Sequence, residues 1–202
     1  MKSADIFWQV IQQYNNGTIL LQILISLFIL GSIFIAYLTT LTWIPKLLLA
    51  ITDLFIAIVF FLIYDKSSIG YYFAFPLFTL LGILLVIDSI AKRNDSIKKI
   101  KGISVILLVL TLLYPVISLL LGHVFPKQVL YILPCPVICI NIVVYSRYSN
   151  LSTIILILMT IWALTGIKAF LFNAYEDLIL FIHSFYSIYL LIQAIKKSKL
   201  TT

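Results

Sequence analysis

Long apolar stretches, joined by short polar connectors, run through almost the whole chain. Most of them approach the roughly 20 residues that a helix needs to cross a hydrocarbon core about 30 Å thick. The seven stretches cover residues 18–40, 43–64, 70–91, 102–121, 129–145, 152–172 and 177–195. This pattern predicts an all-α fold, a polytopic membrane helix bundle with about seven transmembrane helices.

Polar residues mark the limits of this bundle at both ends of the chain. Apolar residues recur at helical spacing among polar ones in residues 1–17, which predicts an amphipathic segment at the membrane interface, with a frayed tail as the alternative. This segment lacks the pattern of a cleaved signal peptide, so we expect it to stay on the mature protein. The helix bundle then covers residues 18–195, and residues 196–202 form a basic cytoplasmic tail.

The fifth apolar stretch gives the weakest prediction of a span. It has seventeen residues, 129–145, and Pro134 and Pro136 interrupt its beginning, so a re-entrant segment is the alternative. Lys and Arg in short loops are biased to the cytoplasmic side. Seven spans with the N-terminus outside place ten of the fourteen basic residues inside, whereas a re-entrant fifth segment divides them seven to seven. The charge distribution therefore favours seven spans, N-out and C-in.

Composition agrees with a membrane class. The chain has 202 residues, of which 63% are hydrophobic and only 10% are charged, far from the values of an ordinary soluble domain. Its net charge of +7 comes from basic residues between and after the apolar runs, where they orient a chain in the bilayer. We expect an integral membrane protein whose partner is the lipid bilayer, with no nucleic-acid binding. A homo-oligomer is compatible with its small size.

Asp53 is the clearest candidate for a buried functional group. It lies at the middle of the second span, where an ionised carboxylate costs about 2.5 kcal/mol or more on insertion scales. Asn141 lies at a similar depth in the fifth span and is a candidate partner. Two interpretations stay open: a proton or cation site inside the bundle, and a protonated aspartate that only joins two helices.

A second group of polar residues belongs to the predicted outer side. The segment GHVFPKQVLYILPCPVIC, residues 122–139, combines a histidine, three prolines and both cysteines, and an acidic pair precedes the seventh span. These residue types bind protons, polar solutes or metal ions. The candidate binding residues on this side are His123, Cys135, Cys139, Glu176, Asp177 and His183.

Three interpretations of this outer group stay open. It is a polar binding site, or a thiol or metal site in which a helix N-terminus lowers the pKa of Cys135, or simply the start of a helix with packed cysteines. The Cys-x-x-x-Cys spacing with an embedded proline is not a standard zinc or thioredoxin pattern. The sequence therefore leaves metal and cofactor undetermined.

Other residues have structural explanations. Asp88 and Lys92 are four residues apart at the end of the third span, which predicts a helical ion pair. Ala163, Gly166 and Ala169 form a face of small residues in the sixth span, which predicts close helix packing.

Several short motifs resemble those of an uncharacterised family of bacterial multi-pass membrane proteins. They are FW and YN near the start, GHVFP followed by PCP, the W…G…A of the sixth span, and ED before the seventh. The positions that carry the resemblance are Phe7, Trp8, Tyr14, Asn15, Gly122, His123, Pro126, Pro134, Cys135, Pro136, Trp162, Gly166, Glu176 and Asp177. The second and third spans depart from that family, with fewer Trp and His. The resemblance implies a protein of the bacterial inner membrane and no established activity.

Two kinds of function are compatible with these residues. The first is transport of a small solute or ion, or an accessory role in transport, with an outer mouth around His123, Glu176 and Asp177 and a midplane site at Asp53. The alternative is a membrane-embedded thiol- or metal-dependent enzyme, or a scaffold or sensor subunit without chemistry of its own. The sequence favours transport over an enzyme.

Overall fold

Most of the structure is helical. The computed structural model describes residues 3–66, 69–92 and 95–199. Within these ranges there is no β-strand, only an isolated pairing between Ile97 and Tyr148 in two connectors. The all-α class predicted from the apolar pattern is confirmed.

The helices follow one another with short connectors. In the described part of the chain the α-helices are α1 (Ser3–Leu38), α2 (Trp43–Phe55), α3 (Ile69–Ala91), α4 (Gly102–Leu112), α5 (Tyr114–Leu120), α6 (Pro134–Tyr145), α7 (Thr153–Leu164), α8 (Ala169–Phe172) and α9 (Leu178–Lys199). A π-helical segment, Ile56–Tyr64, continues α2, and 3₁₀ turns cover Thr165–Lys168 and Tyr175–Asp177. The most extensive helix pairs are α2 with α3 and α7 with α9.

In the described part of the chain, five helical segments are long and apolar enough to cross a membrane. They cover Ala4–Leu38, Trp43–Tyr64, Tyr71–Ala91, Thr153–Phe172 and Tyr175–Lys199. α4 and α5 make a sixth if the bend of 48° between them lies inside one span. α6 has twelve residues, fewer than a straight span needs. The structure is thus compatible with membrane insertion, and helix length alone accounts for five or six of the seven predicted spans.

Prolines decide where two of the helices end and begin. Pro115 is the second residue of α5. Its ring clashes with the carbonyl of Thr111 and it offers no N–H, so α4 cannot continue straight. Pro134 and Pro136 lie in the first turn of α6, where N–H groups have no helical acceptor in any case. The predicted fourth span is therefore broken near its middle.

α1 runs without interruption from Ser3 to Leu38. The segment predicted at the membrane interface is therefore helical and continues directly into the first apolar stretch. Its apolar residues Ile11 and Tyr14 are buried in the core. Packing against the rest of the protein therefore accounts for the amphipathic pattern of this segment. The position of this segment at an interface stays a prediction.

Two polar ends bound the apolar middle of the bundle, and α6 connects them. In the first turn of α6 the thiol of Cys135 contacts Asp177. At its last residue the hydroxyl of Tyr145 donates to Asp88. We call the end at Asp177 the acidic end, and the end at Asp88, where lysines gather, the basic end.

Candidate functional site

Two neighbouring carboxylates form the centre of the acidic end. Glu176 and Asp177 lie in the 3₁₀ turn that precedes α9. Glu176 is fully buried and Asp177 is 9% exposed. Buried carboxylates need hydrogen-bond donors or cations to offset the loss of water. The partners of these two side chains therefore decide what the acidic end can do.

One oxygen of Glu176 carries all of its hydrogen bonds in the described part of the chain. Oε1 accepts a hydrogen bond from Ser118 at 2.8 Å and lies 3.0 Å from Nδ1 of His123. Oε2 is buried and meets no donor among the described residues. The side chain of His123 is 19% exposed, whereas that of Glu176 is 0% exposed. The imidazole thus lies between water and a carboxylate that has one unpaired oxygen.

Neutral donors hold the second carboxylate. The hydroxyl of Tyr114 donates to Oδ1 of Asp177 at 2.6 Å, and the thiol of Cys135 lies 3.5 Å from Oδ2. The ion pairs formed within residues 3–66, 69–92 and 95–199 do not include Asp177. A thiolate at Cys135 would face a like charge on this carboxylate. The arrangement therefore favours a thiol at Cys135 over the activated thiolate considered from the sequence.

The loop that carries His123 is attached to α1. The indole ring of Trp8 lies with its centroid 3.9 Å from the centroid of the imidazole. Two turns further along α1, the side-chain amide of Asn15 donates to the carbonyl oxygen of Pro126 at 2.7 Å. These contacts hold the imidazole and its loop against α1. They also join residues from the start and the middle of the chain that carry the family resemblance.

Close backbone packing fixes the position of the two carboxylates. A methyl group added at Gly166 would lie 2.6 Å from the backbone nitrogen of Phe181 and 2.7 Å from the carbonyl oxygen of Asp177. Ala163 and Ala169 are buried on the same stretch. The close packing predicted for these small residues is confirmed, because only glycine lets this turn approach the start of α9 so closely.

The remaining candidates of the outer group lie deeper in the bundle. Cys139 is fully buried one turn beyond Cys135, and both cysteines are free. His183 is fully buried, and its Nδ1 lies 2.8 Å from the carbonyl oxygen of Ile179. A carbonyl only accepts, so Nδ1 carries the proton, and Nε2 faces the hydroxyl of Thr111 at 3.0 Å. His183 thus belongs to a hydrogen-bonded group separate from the two carboxylates.

The structure also brings the midplane pair together. Nδ2 of Asn141 lies 2.9 Å from each carboxylate oxygen of Asp53, and both side chains are fully buried. Oδ1 of Asn141 has no partner among the described residues. If the amide is turned over, Oδ1 faces the carboxyl group and accepts a hydrogen bond from a protonated Asp53, while Nδ2 takes the position that has no partner among the described residues. Shortly after Asp53 the helix becomes π-helical over Ile56–Tyr64, a form that often occurs at functional sites.

The described residues do not assemble a metal centre. Across residues 3–66, 69–92 and 95–199, no three His, Cys, Asp or Glu side chains lie close enough together to hold an ion. The candidate ligands are divided instead among three neighbourhoods: Glu176 with His123, Asp177 with Cys135, and His183 with Thr111. The geometry supports proton handling more directly than metal chemistry.

The basic end pairs its buried charges. Nζ of the fully buried Lys46 lies 2.8 Å from Asp88 and 3.6 Å from Asp95, and 4.5 Å from the centre of the Tyr148 ring. The predicted ion pair between Asp88 and Lys92 is confirmed at 2.8 Å. Burial, and to a lesser extent the charge of Asp95, raises the pKa of Tyr148, so its phenol stays neutral near pH 7.

Sequence reasoning missed several residues that complete these two ends. Trp8 has the pattern of an interfacial aromatic residue, and Lys46 has that of an ordinary loop lysine. Tyr114 and Ser118 lie inside an apolar run. Their spacing of four residues, which places both hydroxyls on one helix face, is the signal that could have identified them.

Comparison with known proteins identifies a family whose function is unknown. No curated protein and no solved structure matches the chain. A family model matches residues 4–202, and its description is that of a family of unknown function. This agrees with the resemblance to an uncharacterised family, while the bacterial origin and the motifs stay predictions. The chain belongs to the family of unknown function DUF6064.

Proposed function

We propose that this protein is an integral membrane protein that moves protons or another small cation, or a small solute coupled to them, across a bacterial inner membrane, alone or as an accessory to a transporter. The apolar helices support membrane insertion. α6 supports a seventh crossing, because it joins the acidic end to the basic end in spite of its length. The lysines at the basic end support an N-out, C-in orientation.

The environment of Glu176 is the observation that carries the proposal. A buried carboxylate is stable when it is protonated, when it faces a protonated imidazole, or when a cation occupies its unpaired oxygen. Glu176 can enter each of these states, because His123 lies 3.0 Å from Oε1 and Oε2 meets no donor in the described chain. A change from one state to another takes up or releases a proton or a cation. The exposed part of His123 offers a route for the proton from water.

Asp53 supplies a second site deeper in the bundle. Its partner Asn141 follows Cys135 by six residues on α6, about 9 Å along the helix axis. Asp53 and Asn141 are fully buried, and the described chain places no ion pair on either of them. A carboxyl group that alternates between a neutral and a charged form at this depth is typical of proton and cation pathways in membranes. In the proposal, Asp53 receives the proton or cation that enters at the acidic end.

Proton flux into liposomes tests this function. The purified protein is reconstituted with a pH-sensitive dye inside the vesicles, and a potassium gradient with valinomycin sets the membrane potential. We expect flux above that of empty vesicles for the wild type, and background flux for Glu176→Gln, which keeps the side-chain shape and removes the titratable group. Asp5→Asn is the matched control, because it removes a carboxylate from an exposed position near the acidic end.

Two results would contradict the proposal. One is a Glu176→Gln variant that conducts as well as the wild type. The other is a wild type that dissipates neither a proton gradient nor a sodium or potassium gradient faster than empty vesicles do. A flux of sodium or potassium that needs Glu176 would identify the cation.

A further inference from the structure

A groove opens at the basic end, far from the two carboxylates. It has a volume of about 600 Å³ and lies between the start of α7, the end of α9 and the connector that leads to α4. Three lysines line it, Lys92, Lys98 and Lys197, and the other described lining residues are neutral. A concave surface of one sign of charge concentrates ions of the opposite sign. The groove is therefore suited to an anion.

Two of the three ammonium groups are fixed on the connector that precedes α7. Nζ of Lys197 lies 2.8 Å from Oδ1 of Asn150 and 3.2 Å from the carbonyl oxygen of Ser149. Nζ of Lys92 lies 2.7 Å from the carbonyl oxygen of Asn150. Lys92 also forms the ion pair with Asp88 at 2.8 Å, so part of its charge is compensated. The contacts with Ser149 and Asn150 position the ammonium group of Lys197 beside the groove. Part of the ordering cost of binding an anion is thus already met by the fold.

The third lysine, Lys98, lies near other positive charges. Burial lowers the pKa of Lys98, and the charges of Lys101 and Lys197 lower it further, while Asp95 acts in the opposite direction. Asp95 is itself 3.6 Å from the buried Lys46. An anion in the groove would offset the repulsion among the lysines.

The start of α7 adds a second source of positive potential. α7 begins at Thr153, which lines the groove, and Ser152 before it makes no side-chain capping hydrogen bond. The first N–H groups of a helix have no acceptor within the helix, and they carry a partial positive charge that favours a phosphate. The helix N-terminus and the lysines thus point to the same kind of ligand.

The apolar surface below the groove decides between a soluble anion and a lipid. Ile157 and Ile161 follow Thr153 by four and eight residues, so they continue the same face of α7. They are 38% and 42% exposed. A soluble phosphate makes no use of this face, whereas the acyl chain of a phospholipid would cover it. We propose that the groove binds the phosphate headgroup of an anionic phospholipid, whose acyl chain lies along this face of α7.

Lipid binding to the full-length protein tests this inference. Delipidated protein in a neutral detergent is titrated with phosphatidylglycerol, with phosphatidylcholine and with inorganic phosphate, and thermal unfolding and native mass spectrometry report binding. We expect phosphatidylglycerol to bind and to raise the unfolding temperature, while the other two probes do not. At about fivefold per lysine near a membrane surface, the double variant K98Q/K197Q should bind phosphatidylglycerol about 25-fold more weakly.

The matched control is K99Q/K196Q. It removes the same number of charges from the same two segments at exposed positions that do not line the groove. Equal losses in the two double variants would show diffuse attraction to the whole basic end and would overturn the proposal.

Measurements on the wild type alone also test the inference, so the test does not depend on whether the variants fold. Equal retention of phosphatidylglycerol and phosphatidylcholine would also overturn it. So would a response to inorganic phosphate as large as the response to lipid, because the ligand would then be a free anion. Selective retention of phosphatidylglycerol supports the proposal.

Discussion

The two polar ends of the molecule handle buried charge in opposite ways. At the basic end the buried Lys46 lies between Asp88 and Asp95, with distances of 2.8 and 3.6 Å, so opposite charges compensate each other. At the acidic end Glu176 and Asp177 are held mainly by hydroxyl and thiol groups, and among the described residues the one basic side chain in contact with them is the partly exposed His123.

From this difference we expect a structural role at the basic end and, under the proposed function, proton exchange at the acidic end. A buried charge with a fixed opposite charge changes its protonation only at high cost, which suits an element that holds helices together. A buried carboxylate with neutral donors and an imidazole can exchange a proton without breaking the fold. We therefore expect substitutions at the basic end to change stability, and substitutions at the acidic end to change flux.

The largest expected effect on stability is at Lys46. Lys46→Met removes the cation and leaves Asp88 and Asp95 buried with less compensation, so we expect a loss of about 3–5 kcal/mol in the free energy of unfolding. Chemical unfolding in detergent measures it, with Lys99→Met at an exposed position as the control. Glu176→Gln should cost no more than about 1 kcal/mol, because its hydrogen bonds to Oε1 survive. Similar losses for Lys46→Met and Glu176→Gln would remove the contrast between the two ends.

The next largest effect is expected at Gly166. In Gly166→Ala the added methyl group would lie 2.6 and 2.7 Å from backbone atoms of Phe181 and Asp177, so the turn must move away from α9. Overpacking of this kind costs about 1–3 kcal/mol, and it should also reduce flux, because Asp177 moves with the backbone. Gly102→Ala is the control, since nothing lies within 4 Å of a methyl group at that position. An unfolding free energy equal to that of the control would show that the turn can adjust freely.

A smaller effect on stability, with a large effect on flux, is expected at the midplane pair. Asp53→Asn keeps a side chain that can hydrogen-bond Asn141, so we expect stability within about 1 kcal/mol of the wild type, the scale of such bonds between membrane helices. The loss of the carboxyl group should abolish flux in the liposome assay. Asn141→Leu removes only the partner and should retain some flux. Full flux in Asp53→Asn would leave the acidic end without a second site.

The smallest effect is expected at the cysteines. Cys139 is fully buried and Cys135 faces Asp177. In the folded protein, a membrane-impermeant maleimide should therefore react slowly with Cys135 and not at all with Cys139. The comparison is a variant that lacks both cysteines and carries Val124→Cys, a position that is 62% exposed. Mass spectrometry counts the modified sites. Labelling of Cys135 as fast as that of position 124 would revive the thiol-enzyme interpretation.

Local sequence predicted the features that depend on few residues. The apolar runs gave the all-α class, because a run of this length satisfies its backbone groups only as a helix in an apolar surrounding. The depths of Asp53 and Asn141 along their spans predicted their pairing, which the structure contains. The small-residue face at Gly166 predicted close packing, and the packing is there.

Other features escaped the sequence, because they depend on which helices are neighbours. Lys46 has no acid three or four residues away in the chain, and its ion-pair partners lie 42 and 49 residues later, at Asp88 and Asp95. Pro115 breaks the helix of the fourth apolar stretch. The hydrophobicity pattern alone does not predict this break.

The sequence by itself determined that this chain folds into apolar helices, and its charge distribution predicted an inner side rich in lysine and arginine and an outer side that carries Glu176 and Asp177. Only the tertiary structure decided that one oxygen of Glu176 meets no donor among the described residues, while Ser118 and His123, 58 and 53 residues away in the chain, both contact the other. Hydrophobicity and helical spacing act between neighbours and can be read locally. The pairing of buried polar groups is set by the three-dimensional packing of helices that are distant in sequence.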